Sequence, residues 1–172
     1  MGCAAAATAL QPAFGEAMKG NQRILAQLQR LLNSELAAAD QFLVHARMFE
    51  DWGYTRLAAH TEAALQDSRR HIDLLLRRML FLGSAPDLLE REAMATATAV
   101  REMLRHDVDM QYRLVEHLRA AMASCVEEHD FQSLAMLAEM LRDCEETHVN
   151  WLEQQLAQVE AMGLENYLSR QL

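Results

Sequence analysis

Lysine is nearly absent from this chain: Lys19 is the only one, and the formal net charge is −9. A surface built to hold nucleic acid needs clustered Lys and Arg, so that class of partner is excluded. Proline and glycine are scarce, two and six in 172 residues, and aromatic residues make up 6%. With β-branched residues also sparse and no alternating run of strand length, sheet folds are excluded as well. The three cysteines, Cys3, Cys125 and Cys144, have no paired spacing, which excludes a disulfide framework and fits reduced thiols in the cytoplasm. No apolar run reaches the eighteen or so residues of a membrane span.

What remains is the material of long helices. About half the residues (51%) are hydrophobic, and Ala, Leu, Met, Arg, Glu and Gln dominate. The expected fold class is all-α, in one domain large enough to bury a substantial core. Residues 1–17, MGCAAAATALQPAFGEA, lack the basic start of a secretory signal and read as a flexible tail. Gly2 does not complete a myristoylation signal, because Ala6 stands where Ser or Thr is required.

The most informative stretch is LRDCEETHVNWLE at 141–153. Leu141, Glu145, His148, Leu152 and Leu156 recur at helical spacing on a face that is otherwise apolar. A carboxylate and an imidazole one turn apart on a buried stripe are costly unless something compensates them. A divalent metal or a buried Glu–His hydrogen bond would serve, and zinc, iron and manganese all accept these ligands; the alternative is a slightly mis-phased pair that lies exposed.

The other helices repeat the theme. The first, Asn21 to about Trp52, carries Glu35 among Ile24, Leu28, Leu31, Leu32 and Phe42, with His45 at the inner edge as a hydrogen-bonded core residue; Gly53 lies just past its end. The second, Thr55 to Leu82, turns Ser68 and His71 inward, with Asp67 able to swing toward the same place. A long link from Gly83 to Ala99 lets the third helix, Thr98 to Cys125, run parallel to the second. That third helix carries Asp107 and Gln111 on its inner stripe. The fourth, Asp130 to Ala161, ends before Gly163, and a short amphipathic helix follows. Each long helix thus has a polar interruption near its middle, and antiparallel packing would bring these to one level.

Six segments carry a resemblance: MKGNQRILAQLQRLLNSEL at 18–36, DQFLVHARMFEDWG at 40–53, RRMLFLGSAPDL at 77–88, EMLRHDVDM at 102–110, EETHVNWLEQQL at 145–156 and MGLENYLSRQL at 162–172. Together they resemble the bacterioferritin family, iron-storage members of the ferritin-like carboxylate proteins. The resemblance implies a four-helix bundle with one long crossover and a short C-terminal fifth helix over residues 18–172. It also implies a cytoplasmic cage of 24 subunits around a ferric iron mineral.

The same resemblance assigns residues. Glu35, His71, Glu145 and His148 match the family's metal ligands in its bundle site of carboxylates and Glu-x-x-His pairs. Ser68 and Gln111 do not, since both stand where the family has Glu. With two carboxylates left, two divalent ions would bring four positive charges against two negative ones, which a low-dielectric core resists. A single Fe or Zn ion remains compatible with the residues that match. Arg69 occupies the position of the haem-ligating methionine and offers iron no lone pair, so haem is not expected from this subunit alone. The eleven methionines elsewhere say nothing about haem, because methionine commonly fills core gaps.

The resulting expectation is a storage-shell subunit with weak or absent ferroxidase activity that relies on a catalytically competent partner subunit. An active ferroxidase with rearranged ligands, Asp67 standing in for a missing carboxylate, is the enzymatic alternative. A shell subunit with an empty site is the structural one. A DNA-protecting miniferritin is disfavoured by the acidic balance.

Overall fold

The structure, a computed structural model, describes residues 20–89, 91–95 and 97–172. The tail expected at 1–17 lies outside the described residues. Four long helical rods and a short terminal helix account for the fold: α1 (Gln22–Asp51), α2 (Thr55–Phe81), α3 (Val100–Glu127), a fourth rod in three pieces, and α6 (Leu164–Leu168). Among the described residues there is no strand.

Local chemistry sets the helix ends. The Asn21 side chain accepts a hydrogen bond from Arg23 N at 2.7 Å and caps α1. Gly53 and Gly163, at φ 80° and 78°, end α1 and the fourth rod in the left-handed region that only glycine enters without strain.

Hydrogen bonds fix the topology. Gly20 N meets Leu82 O at 2.9 Å, so the start of α1 lies beside the end of α2 and the two form an antiparallel hairpin. The 82–99 link then climbs along α1 in the direction of α1 itself. Asp87 is held by Gln29 (2.7 and 2.8 Å), Glu92 by Ser34 (2.7 Å) and Ala95 by Gln41 (3.2 Å). It delivers Val100 to the end where Phe49 and Leu57 pack, so α3 starts at the same end as α2 and runs parallel to it. This is the single-crossover bundle expected from the sequence. At the opposite end Arg78 of α2 grips Asp130, which caps the fourth rod.

Leu28, Leu31, Leu32, Leu75, Leu118 and Leu137 are fully buried and join α1, α2, α3 and the fourth rod in one core cluster. Each such side chain contributes roughly 1.5–3 kcal/mol of hydrophobic stabilisation. Tyr167 of α6 is also fully buried, its hydroxyl donating to Gln155 Oε1 at 2.9 Å, and Gln171 O accepts from Arg56 N at 3.1 Å. The short last helix is thereby docked on the bundle end where α2 begins.

The fourth rod departs from the sequence expectation. It comprises α4 (Phe131–Arg142), a π-helical turn (Asp143–Val149) and α5 (Asn150–Met162). In the π turn the hydrogen bonds span five residues, as from Asn150 N back to Glu145 O. Such wide turns within α-helices are frequent at functional sites.

Candidate metal centre

The buried edge of the fourth rod is Ser133, Leu137, Met140, Cys144, His148, Leu152, Gln155 and Val159. Three successive steps of four, from Met140 to Leu152, exceed what 3.6 residues per turn allows, and the π turn absorbs the surplus residue. Cys144 therefore points inward where α-helical phasing predicted Glu145. Glu145 instead lies on the flank, where Arg119 Nη2 donates to its Oε1 at 2.5 Å. The expectation that Glu145 and His148 share one buried face is corrected by this turn.

The other positions singled out in the sequence are inside. Glu35, Ser68, His71, Gln111 and His148 are all at most 3% exposed. Glu35 and His71 form the central pair, Oε1 to Nδ1 at 2.8 Å. A carboxylate oxygen of Glu35, a ring nitrogen of His71 and Cys144 Sγ lie within 4.8 Å of one another, all buried. Glu35 Oε2, Gln111 Oε1 and His148 Nδ1 are buried without a hydrogen-bond partner. Orphaned polar atoms of this kind are uncommon in a folded core, and a bound ion or water would satisfy them.

Two carboxylates join from the rim. Asp143 Oδ2 is 3.4 Å from His71 Nε2, and Asp67 Oδ2 is 3.3 Å from His148 Nε2. Arg70 lies between them. Its Nη2 donates to Asp143 Oδ2, sits 3.4 Å from Asp67 Oδ1 and 3.3 Å from His71 Nε2. Neither Asp143 nor Arg70 was singled out in the sequence. Both occupy positions that ordinary helix phasing leaves at the surface.

Burial and charge oppose each other at this centre. Burial pulls the His71 pKa down, but its hydrogen bond to the Glu35 carboxylate and that group's charge outweigh it, and the net direction is up. At His148 burial dominates and the pKa falls, despite the charge of Asp67. Burial, followed by the negative charge of Glu35, pushes the Cys144 thiol well above its usual value. Beyond His148, His60 stacks on Trp151 at 3.5 Å between ring centroids, and its burial lowers its pKa to about 4.

A second buried polar cluster lies one layer away. Asp107, 1% exposed, accepts from Gln41 Nε2 on Oδ1 at 2.7 Å and from His45 Nδ1 on Oδ2 at 3.0 Å. It accounts for the two inner polar residues that the sequence left without a role in the centre, and supports the reading of His45 as a hydrogen-bonded core residue.

A single-crossover four-helix bundle with inward carboxylates and histidines contributed by facing helices defines the class of ferritin-like carboxylate proteins. Comparison with known sequences agrees. The ferritin family, described as a ferritin-like domain, matches residues 25–162. A bacterial ferritin of Synechocystis sp. is 44% identical over 90% of this chain and 99% of its own length. A bacterial ferritin of Pseudomonas aeruginosa is 40% identical over 90% of this chain and all of its own length, and a bacterioferritin of Mycolicibacterium paratuberculosis is 31% identical over 87% and 94%. The chain belongs to the bacterioferritin family.

Proposed function

We propose that this chain is an iron-storage subunit forming the wall of a bacterioferritin-type cage of 24 subunits around a ferric mineral. Its own centre does not oxidise iron in pairs. The observation that carries the second statement is Arg70, whose guanidinium already pairs with the two rim carboxylates, Asp67 and Asp143, that a second iron would require. Arginine keeps its proton, so a fixed cation stands beside the place of the second dication. Ser68 and Gln111, both buried, bring no charge to offset it. Iron is the cargo here, and the residues present fit one divalent ion better than two.

The test is stopped-flow oxidation of Fe(II) by the purified homopolymer at two irons per subunit. A slow phase that grows with the amount of mineral is expected. A fast phase consuming two irons per subunit overturns the reading.

The reading extends to partners. A cytoplasmic shell shared with a catalytically competent bacterioferritin subunit would divide the work, oxidation falling to the partner and nucleation surface to this chain. Mass spectrometry of the natively purified shell would find the second chain. Arg69 is exposed on α2 and cannot ligate haem iron, so the homopolymer is expected to show no low-spin haem spectrum after reconstitution. Among the described residues no helix is long and apolar enough to cross a membrane.

A second reading is favoured by the contacts of Asp67 with His148 and Asp143 with His71: a ferroxidase with rearranged ligands. A fast phase abolished by Asp67→Ala would identify it.

A further inference from the structure

We propose that Glu35, His71 and Cys144 form a single-ion site of the zinc class, with the cysteine sulfur as a ligand. The inference rests on the reading that the paired-iron centre is lost, and not on the storage role.

The three side chains come from α1, α2 and the π turn, and each is at most 1% exposed. Their ligand atoms lie within 4.8 Å of one another. Tetrahedral zinc with nitrogen, oxygen and sulfur ligands sets neighbouring ligand atoms about 3.3–3.6 Å apart. Side-chain rotation covers the difference. A second observation points the same way: Glu35 Oε2 is fully buried and has no hydrogen-bond partner. In a low-dielectric core an unpaired carboxylate oxygen is costly unless a cation or donor meets it.

Charge selects the stoichiometry. The Glu35 carboxylate and a Cys144 thiolate carry two negative charges, and His71 binds as neutral imidazole. One dication is neutralised; a second would meet only the single net negative charge that Asp67 and Asp143 keep after pairing with Arg70. As the sulfur–metal bond forms, the thiol proton leaves to solvent.

The donor set selects the ion. Thiolate and imidazole favour zinc and cobalt, and zinc also lies above iron(II) in the general order of divalent affinities. An occupied site would tie three helices together through one ion and keep iron out of the bundle, leaving iron to the interior of the cage. The π turn is what makes the set available, because it brings Cys144 inward and sends Glu145 to Arg119.

The probe is Co²⁺, added to the chelator-stripped, assembled full-length protein. One cobalt per subunit is expected, with a near-ultraviolet sulfur-to-cobalt charge-transfer band and the intense visible bands of four-coordinate cobalt. Equimolar Zn²⁺ should displace both. Cys144→Ala should abolish the charge-transfer band and weaken zinc binding by at least the roughly ten- to hundredfold that losing an outer-shell partner costs, while Cys125→Ala leaves both intact. If Cys144→Ala does not assemble, X-ray absorption on the zinc-loaded wild type decides, with a sulfur neighbour at about 2.3 Å expected.

Weakly absorbing six-coordinate cobalt, a band that survives Cys144→Ala, or zinc without a sulfur neighbour overturns the site. Any of these without a fast iron phase leaves the storage reading standing. A fast phase of two irons per subunit removes the premise as well.

Discussion

Asp67 reaches His148 across the gap between α2 and the π turn, Oδ2 to Nε2 at 3.3 Å. Its other oxygen, Oδ1, lies 3.4 Å from Arg70, so the carboxylate is shared between an imidazole and a fixed cation. Removing that cation should free both Asp67 and Asp143. In Arg70→Ala, binding of Mn²⁺, a hard ion suited to carboxylates, should tighten about tenfold or more. Isothermal titration measures this, and an unchanged affinity would show that the guanidinium is not what keeps a second ion out.

Restoring the charges that the centre lacks should restore its chemistry at a cost. Ser68→Glu with Gln111→Glu places two carboxylates at positions at most 3% exposed. Without metal the double variant should be destabilised by roughly 2–5 kcal/mol, seen as a lower melting temperature. Divalent ions should recover much of the loss, because they bind only the folded form. The same variant should gain the fast phase of iron oxidation in the stopped-flow assay.

Acid stability should report on the cap of α4. Asp130 accepts from Ser133 N at 3.0 Å, from Ser133 Oγ at 2.6 Å and from Arg78 Nη2 at 2.7 Å. Burial pushes its pKa up, but the Ser133 hydrogen bonds and the Arg78 charge outweigh burial and hold it below the usual carboxylate value. A group depressed by folding contributes its full stability above the unfolded value of about 3.9 and loses it as pH falls through the lower folded value. Asp130→Asn should therefore melt earlier than wild type by a constant margin from pH 7 to about pH 5. The margin should close below about pH 4; a margin that persists in acid would assign the effect to the hydrogen bonds alone.

The Asp107 cluster predicts a stability loss with no metal component. Asp107→Ala leaves Gln41 Nε2 and His45 Nδ1 without their shared acceptor in a site 1% exposed. A buried donor left unpaired costs roughly 1–3 kcal/mol. Urea denaturation should show it, while the cobalt spectrum keeps its charge-transfer band.

The helices, the crossover and the inward placing of Glu35, Ser68, His71, Gln111 and His148 were legible because α-helical spacing is a strong signal over rods of this length. Cys144 was not, for a specific reason. Counting forward from Ser133 and Leu137 puts Cys144 on the inner ridge, whereas counting back from Leu152 and His148 favours Glu145. The two counts disagree by one residue, and that mismatch was the readable sign of the π turn. Arg70 and Asp143 gave no such sign: each sits on an outer face by spacing, and only the folded geometry brings them over the rim of the centre.

The widened turn also has a consequence for descent. It holds one residue more than regular winding would, so an in-frame deletion of a single codon at Cys144 would tighten the rod and swing Glu145 into the vacated place. One triplet thus separates a sulfur-bearing pocket from an all-oxygen-and-nitrogen one. A lineage could cross between the two without disturbing any other wall of the bundle.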